Sequence, residues 1–231
     1  MPTSIGFFGD SFCYSHSPNS YLGMIVDRLG LNLVHTGKAG SSIEDAILMQ
    51  FNKFAKVNKI PDICVFVWTD SHRLYNYKVR NLTLGSLDKN DDPEITQAAK
   101  TYYRCLFDDE AHILRHNATV YYFNQVLLNR YPDKKIINLW SFGEVNEAKD
   151  TEKETFRIDN VSYPFRFTRG VEIRPALATL SFNESDVPQD MSKDFRPNHL
   201  GELKTNIIIA NALYDAITEY QDGKLIEIKE Q

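Results

Sequence analysis

Cysteine is scarce in this chain: Cys13, Cys64 and Cys105 are the only three in 231 residues. An odd, scattered set builds no disulfide framework, and reduced thiols fit a cytoplasmic location. The Asn-x-Ser/Thr sequons at Asn81, Asn117, Asn160 and Asn183 are therefore expected to carry no glycan. Long apolar runs are missing as well. The strongest, residues 63–68 and 207–210, fall far short of the ~20 residues of a membrane span. The opening Met1-Pro2-Thr3-Ser4-Ile5-Gly6 shows no basic segment leading into the about 7–15 apolar residues of a secretory signal. A soluble chain without a membrane partner is expected. Basic blocks are absent too, with 26 Lys+Arg against 31 Asp+Glu and a net charge of −5. Such a chain lacks the footprint that neutralises phosphates, so no nucleic acid is expected as partner.

What is present alternates between strand and helix. Residues 4–8 form a short apolar run that stops at Gly9-Asp10-Ser11. Ser17-Pro18 offers an N-cap with proline behind it, and Leu22, Ile25, Val26 and Leu29 share one helical face before Gly30. Residues 31–34 make a second strand, and Ser41-Ser42-Ile43-Glu44 matches a capping box ahead of Ile47, Leu48, Phe51 and Phe54. Ile63-Cys64-Val65-Phe66-Val67-Trp68 is apolar throughout, as a central parallel strand covered on both faces should be. Asp92-Pro93-Glu94 starts a helix expected to reach about residue 116, a second helical stretch spans 119–131, and residues 135–140 are a fourth strand. Leu203, Ile207, Ala210, Leu213 and Ile217 repeat at helical spacing, and residues 225–228 offer a short edge strand. The pattern predicts one α/β domain, a three-layer α/β/α sandwich around a mostly parallel sheet. Irregular polar stretches at about 70–92 and 141–193 interrupt it, the second long enough to be functional or to hold small elements of its own.

The sharpest local signal is Gly9-Asp10-Ser11-Phe12, directly after the first strand. Ligands bind at the carboxyl ends of strands in open α/β sheets, so a serine there is well placed for chemistry. Gly-Asp-Ser is also a common turn tripeptide, and on its own the motif supports either reading equally.

Three further blocks bear on the choice. Val34-His35-Thr36-Gly37-Lys38-Ala39-Gly40 puts glycines in the loop after the second strand, Val67-Trp68-Thr69-Asp70 ends the third, and Asp194-Phe195-Arg196-Pro197-Asn198-His199-Leu200 precedes the last helix. In this arrangement the sequence resembles the GDSL/SGNH hydrolases, serine esterases of flavodoxin-like fold with four marker blocks. The resemblance implies Ser11 as nucleophile, Gly40 as oxyanion donor, Thr69 where the family usually has Asn, and His199 as base. The last block departs from the usual Asp-x-x-His: Arg196 stands three residues before His199, and the nearest upstream acid is Asp194.

The chemistry of these residue types agrees. A serine hydroxyl needs a base to take its proton, and histidine is the usual one. The Ser11 and Gly40 N–H groups and the Thr69 side chain are candidate oxyanion donors. Asp194 would orient His199 if the Arg196-Pro197 turn is wide; otherwise it is a loop charge or pairs with Arg196, and a Ser-His dyad remains. Asp10, Asp70 and Arg73 belong to the same sheet edge and are candidates for shaping the substrate pocket, Arg73 by holding an anionic group. They are equally readable as a polar loop.

Other constellations carry less. His112 and His116 are four apart, but Ile113-Leu114-Arg115 lacks the glutamate of a zinc-protease helix, so no metal is expected. Gly37-Lys38-Ala39-Gly40 lacks the Gly-Lys-Ser/Thr ending of a phosphate loop. Tyr75, Tyr77, Tyr102, Tyr103, Tyr121 and Tyr122 could stack on sugars or simply pack. The expectation is a cofactor-independent esterase acting on small acyl esters, carbohydrate esters among them. The alternative is an inactive module of the same fold that binds a glycan or a partner protein. Oligomeric state is not readable.

Overall fold

The computed structural model describes residues 3–76, 80–82, 92–142, 156–158, 161–163, 167–182, 200 and 203–228. In chain order these form β1 (Ser4–Gly9), α1 (Tyr21–Leu29), β2 (Asn32–His35), α2 (Asn52–Lys56), β3 (Ile63–Trp68), β4 (Leu74–Asn76), β5 (Arg80–Leu82), α3 (Pro93–Cys105), α4 (Asp109–Tyr122), β6 (Lys135–Trp140), β7 (Phe156–Ile158), β8 (Val161–Tyr163), β9 (Val171–Arg174), α5 (Leu177–Phe182), α6 (Leu203–Thr218) and β10 (Leu225–Glu227). A 3₁₀ turn covers Ser11–Cys13 and a π-helical stretch covers Asp45–Phe51, running directly into α2.

Six strands pair in parallel in the order β2-β1-β3-β6-β9-β10. This is the flavodoxin-like order, whose direction of winding reverses at β1 and β3. The fold is the expected three-layer α/β sandwich. Strand residues divide between two cores with a period of two. Ile63, Val65 and Val67 join α1 and α6 on one face, with Ile5, Phe7, Ile137 and Leu139. Cys64, Phe66 and Trp68 face the other way, with Phe8, Phe51, Ile136, Trp140 and Phe123. Phe66 and Trp68 stack with ring centroids 5.0 Å apart. Pairs β4–β5 and β7–β8 are antiparallel two-stranded ribbons within the two irregular stretches. Among the described residues no helix is long and apolar enough to cross a membrane.

Several boundaries differ from expectation. The N-cap of α1 is Ser20, whose side chain accepts from Gly23 N–H; Ser17 and Pro18 lie in the preceding turn. The long helix expected from Pro93 breaks at Leu106, where Leu106 and Phe107 N–H both bond to Tyr102 O, and Asp108 caps a new helix by accepting from Ala111 N–H at 2.8 Å. Strand β9 was hidden in the stretch 141–193: it has only four residues, and Glu172, buried in its middle, breaks the apolar run. Glu172 is satisfied there by Trp140 Nε1 at 3.2 Å and Arg174 Nε at 2.8 Å. On α6, Leu203 and Ile207 are exposed, while Thr205 and Asn206 are buried beside Ile209, Ala210, Leu213 and Ile217.

Candidate active site

β1 ends at the point where the strand order reverses, which puts Ser11 at the position where this architecture binds ligands. Asp10 caps the turn that presents it, its Oδ1 accepting from Phe12 N–H at 3.0 Å. Asp10 and Phe12 are fully buried, whereas Ser11 is half-buried. Among the described residues neither the Ser11 hydroxyl nor its N–H has a hydrogen-bond partner.

Asp10 is a structural hub. Besides Phe12 N–H, Oδ1 accepts from Ser141 Oγ at 3.0 Å, and Oδ2 accepts from Thr69 Oγ1 at 2.6 Å and lies 3.3 Å from an Arg73 Nη. The carboxylate thus ties together the ends of β1, β3 and β6. Charge-assisted bonds of this kind are the strong ones, and here they satisfy a charge that burial would otherwise make untenable.

The loop after β2 is laced onto the same turn. Gly37 N–H bonds to Cys13 O at 2.8 Å and Lys38 N–H to Gly9 O at 3.0 Å. Gly37 is where backbones meet: a Cβ there would lie 2.4 Å from Cys13 Sγ and 2.8 Å from Asp10 O. Gly40 has φ +76°, and among the described residues nothing lies within 4 Å of a Cβ placed there and its N–H has no partner. Ser42, one residue later than expected, caps the next helix by accepting from Asp45 N–H at 3.2 Å.

Two expected roles change. The single proton of the Thr69 hydroxyl is donated to Asp10, so the side chain braces the site instead of offering an oxyanion donor. Arg73, only 11% exposed at its side chain, donates to Ser41 O at 2.9 Å and pairs with Asp10, so it pins two loops and is not presented to an anionic substrate. Asp70 accepts from its neighbour's chain: Oδ1 lies 2.8 Å from His72 N and 2.5 Å from His72 Nδ1, both side chains being partly exposed.

No protein-family model and no curated protein matches this chain. Its site therefore stands on its own geometry.

Asp194 and His199 lie outside the described residues, as does Tyr77. The residue that follows His199 is described, and its anchorage bears on the site. Leu200 is buried, and its carbonyl accepts from Asn206 Nδ2 at 3.4 Å. Asn206 Oδ1 accepts from Tyr21 N–H at 2.9 Å, and the Tyr21 hydroxyl donates to Phe12 O at 2.9 Å. A chain of three hydrogen bonds thus links the neighbour of His199 to the neighbour of Ser11.

The two histidines of α4 hold protein atoms. His112 Nε2 is 2.5 Å from Tyr102 Oη, and His116 Nε2 is 2.7 Å from Thr69 O. A carbonyl only accepts, so His116 carries its proton on Nε2; burial lowers its pKa and keeps it neutral. No group of acids, histidines and cysteines among the described residues could hold a metal. The one hydroxyl proton of Tyr103 lies between His72 O at 2.8 Å and Leu82 O at 3.1 Å, a packing role, whereas Tyr121 and Tyr122 are exposed. Cys13, beside the turn, is buried, and desolvation with Asp10 nearby raises its thiol well above the usual range, so it is not a competing nucleophile.

Sequence reasoning missed three contributors: Ser141, His116 and Gln50, whose buried side-chain amide bonds to Gly9 N–H at 3.0 Å and Gly9 O at 2.9 Å. Ser141 carried a usable signal, a small polar residue immediately after a strand that ends at the ligand-binding edge. Gln50 and His116 carried none, since each acts across the fold.

Proposed function

We propose that this chain is a serine esterase of the GDSL/SGNH kind, acting on small acyl esters with Ser11 as nucleophile. The observation that carries the reading is the pairing of an unbonded, half-buried Ser11 hydroxyl at the switch point with N–H donors, on Ser11 and Gly40, that have no partner among the described residues. In the reaction, His199 takes the Ser11 proton as Oγ attacks the ester carbonyl, and the two N–H groups hold the oxyanion. His199 returns the proton to the leaving alcohol, then activates water to release the acid from Ser11. Asp194 orients His199. The link from Leu200 through Asn206 and Tyr21 to Phe12 supports this pairing of distant segments. The steps call on no cofactor. Acetyl-like esters, including those on carbohydrates, are the proposed substrate class.

The test is hydrolysis of short p-nitrophenyl esters and labelling by a fluorophosphonate, for the wild type beside Ser11→Ala. Turnover and labelling that both disappear in the variant support the reading. A folded wild type that does neither overturns it in favour of a binding module.

A further inference from the structure

Pairing between β1 and β2 extends only to Gly6 and His35, so among the described residues no strand lies beside the edge of Gly9 that faces β2. The side-chain amide of Gln50 fills that place. Its Oε1 accepts from Gly9 N–H at 3.0 Å and its Nε2 donates to Gly9 O at 2.9 Å. A primary amide presents the same donor and acceptor as a peptide unit, and Gln50 completes the sheet at the last residue before Asp10-Ser11. The same Nε2 donates to Ser41 Oγ at 2.9 Å and lies 3.3 Å from Asp45 Oδ2, while Ser41 Oγ donates to Asp45 Oδ2 at 2.7 Å. Gln50, Ser41 and Asp45 are all buried.

Both loops of the site hang from this amide. Gly9 leads into the turn that carries Ser11, and Gly9 O also accepts from Lys38 N–H in the Gly40 loop. Ser41 follows Gly40 directly, and its carbonyl is held by Arg73. The winding of the helix makes the arrangement possible. In an α-helix, residues five apart stand about 140° apart around the axis, on different faces. The i→i+5 winding of Asp45–Phe51, continued by Asn52 N–H bonding to Ile47 O, brings Asp45 and Gln50 to one side. Single π turns of this kind occur often at functional sites.

We infer that Gln50 is a positioning residue that sets the separation between Ser11 Oγ and the Gly40 N–H. The inference rests on the esterase reading. It touches neither substrate nor reacting atoms; it acts through Gly9 and Ser41. Displacing reacting groups by about 1 Å, or losing one oxyanion donor, lowers rates by about 10²-fold or more.

The experiment compares wild type, Gln50→Met, Ser41→Ala and Arg169→Met in p-nitrophenyl ester hydrolysis and fluorophosphonate labelling, with rates normalised to folded protein. Gln50→Met, similar in length but without the amide, is expected to lower kcat about 100-fold with KM within about threefold, and to slow labelling in parallel. Ser41→Ala removes one arm of the amide's bonding and is expected to lower kcat about tenfold; it carries the test if Gln50→Met does not fold. Arg169→Met weakens the far pole of the sheet and is expected to leave kcat unchanged. If wild type is active and the Gln50 and Ser41 variants keep its kcat, this inference alone is overturned. A wild type that neither turns over nor labels overturns the esterase reading together with it.

Discussion

Thr69 Oγ1 donates to Asp10 Oδ2 at 2.6 Å, joining the residue after β3 to the residue after β1 through a bond with no exposed atom on the carboxylate side. Thr69 is held from behind as well, by His116 at its carbonyl. Thr69→Val keeps the shape and removes the donor. A hydrogen bond to a buried charge contributes about 1.5–3 kcal/mol, so urea denaturation is expected to show a loss in that range. A variant within about 0.5 kcal/mol of wild type would mean the contact is not energetically coupled to the fold.

The glycines of the second loop are expected to separate. Gly37→Ala forces a methyl against Cys13 Sγ and two backbone oxygens, those of Asp10 and Gly9. That is overpacking at its upper range, about 3 kcal/mol. Gly40→Ala meets nothing within 4 Å among the described residues and incurs the left-handed conformation at φ +76°, about 1 kcal/mol. Thermal denaturation of the two proteins should rank them in that order, and a reversed order would contradict the close approach at Gly37.

His35 provides a pH signature. Burial, and then Lys53 Nζ at 3.3 Å from its Nδ1, lower its pKa to about 4. The unfolded chain therefore binds a proton that the folded chain refuses between about pH 6.5 and 4, and stability falls as pH drops through that window. With part of the ring exposed, the difference between pH 7.5 and 5.0 should be about 1–2 kcal/mol. His35→Phe preserves the ring contacts with Phe8 and Phe54 and should lack this component in urea titrations at the two pH values.

Arg169 lies at the amino-terminal pole of the sheet. It is buried, paired with Asp222, and donates to the carbonyls of Tyr131, Pro132 and Lys134 at 3.0, 3.1 and 2.7 Å. Asp222 is itself exposed, but removing the guanidinium leaves the carbonyls it serves without their donor, and Arg169→Met is expected to lower stability by about 1–3 kcal/mol. Circular dichroism melts would detect this, and fluorophosphonate labelling of Ser11 below the melting range should be unaffected.

Much of the sheet was legible because burial on both faces writes itself into composition. β3 reads as six apolar residues in a row, and β1 and β6 are nearly as plain. β9 was not, because its buried glutamate breaks the apolar run, and one of the two donors that satisfy it, Trp140, lies 32 residues away. The break between α3 and α4 could have been read from Asp108, a competent N-cap inside an otherwise continuous helical stretch. Ser11 and the two glycine positions were visible because turn chemistry is local. The contacts of Thr69 and Arg73 were not visible, for the opposite reason: each side chain faces Asp10, a partner 59 or more residues away.

Periodicity and turn chemistry are properties of neighbouring residues, and they were enough to establish the α/β alternation, the strand that leads to Ser11 and the glycine loop beside it. The winding of residues 45–51 is different. Its i→i+5 bonds go with contacts that the local pattern does not show: Gln50 reaches Gly9 and Ser41, and Asp45 reaches Ser41. The buried polar contacts of Asp10 and His116 likewise became satisfiable only when β1, β3 and β6 ended side by side. A hydrogen bond between distant segments has a length and a direction that exist only in three dimensions, and it is these bonds that decide which polar residues support the site and which are left to act in it.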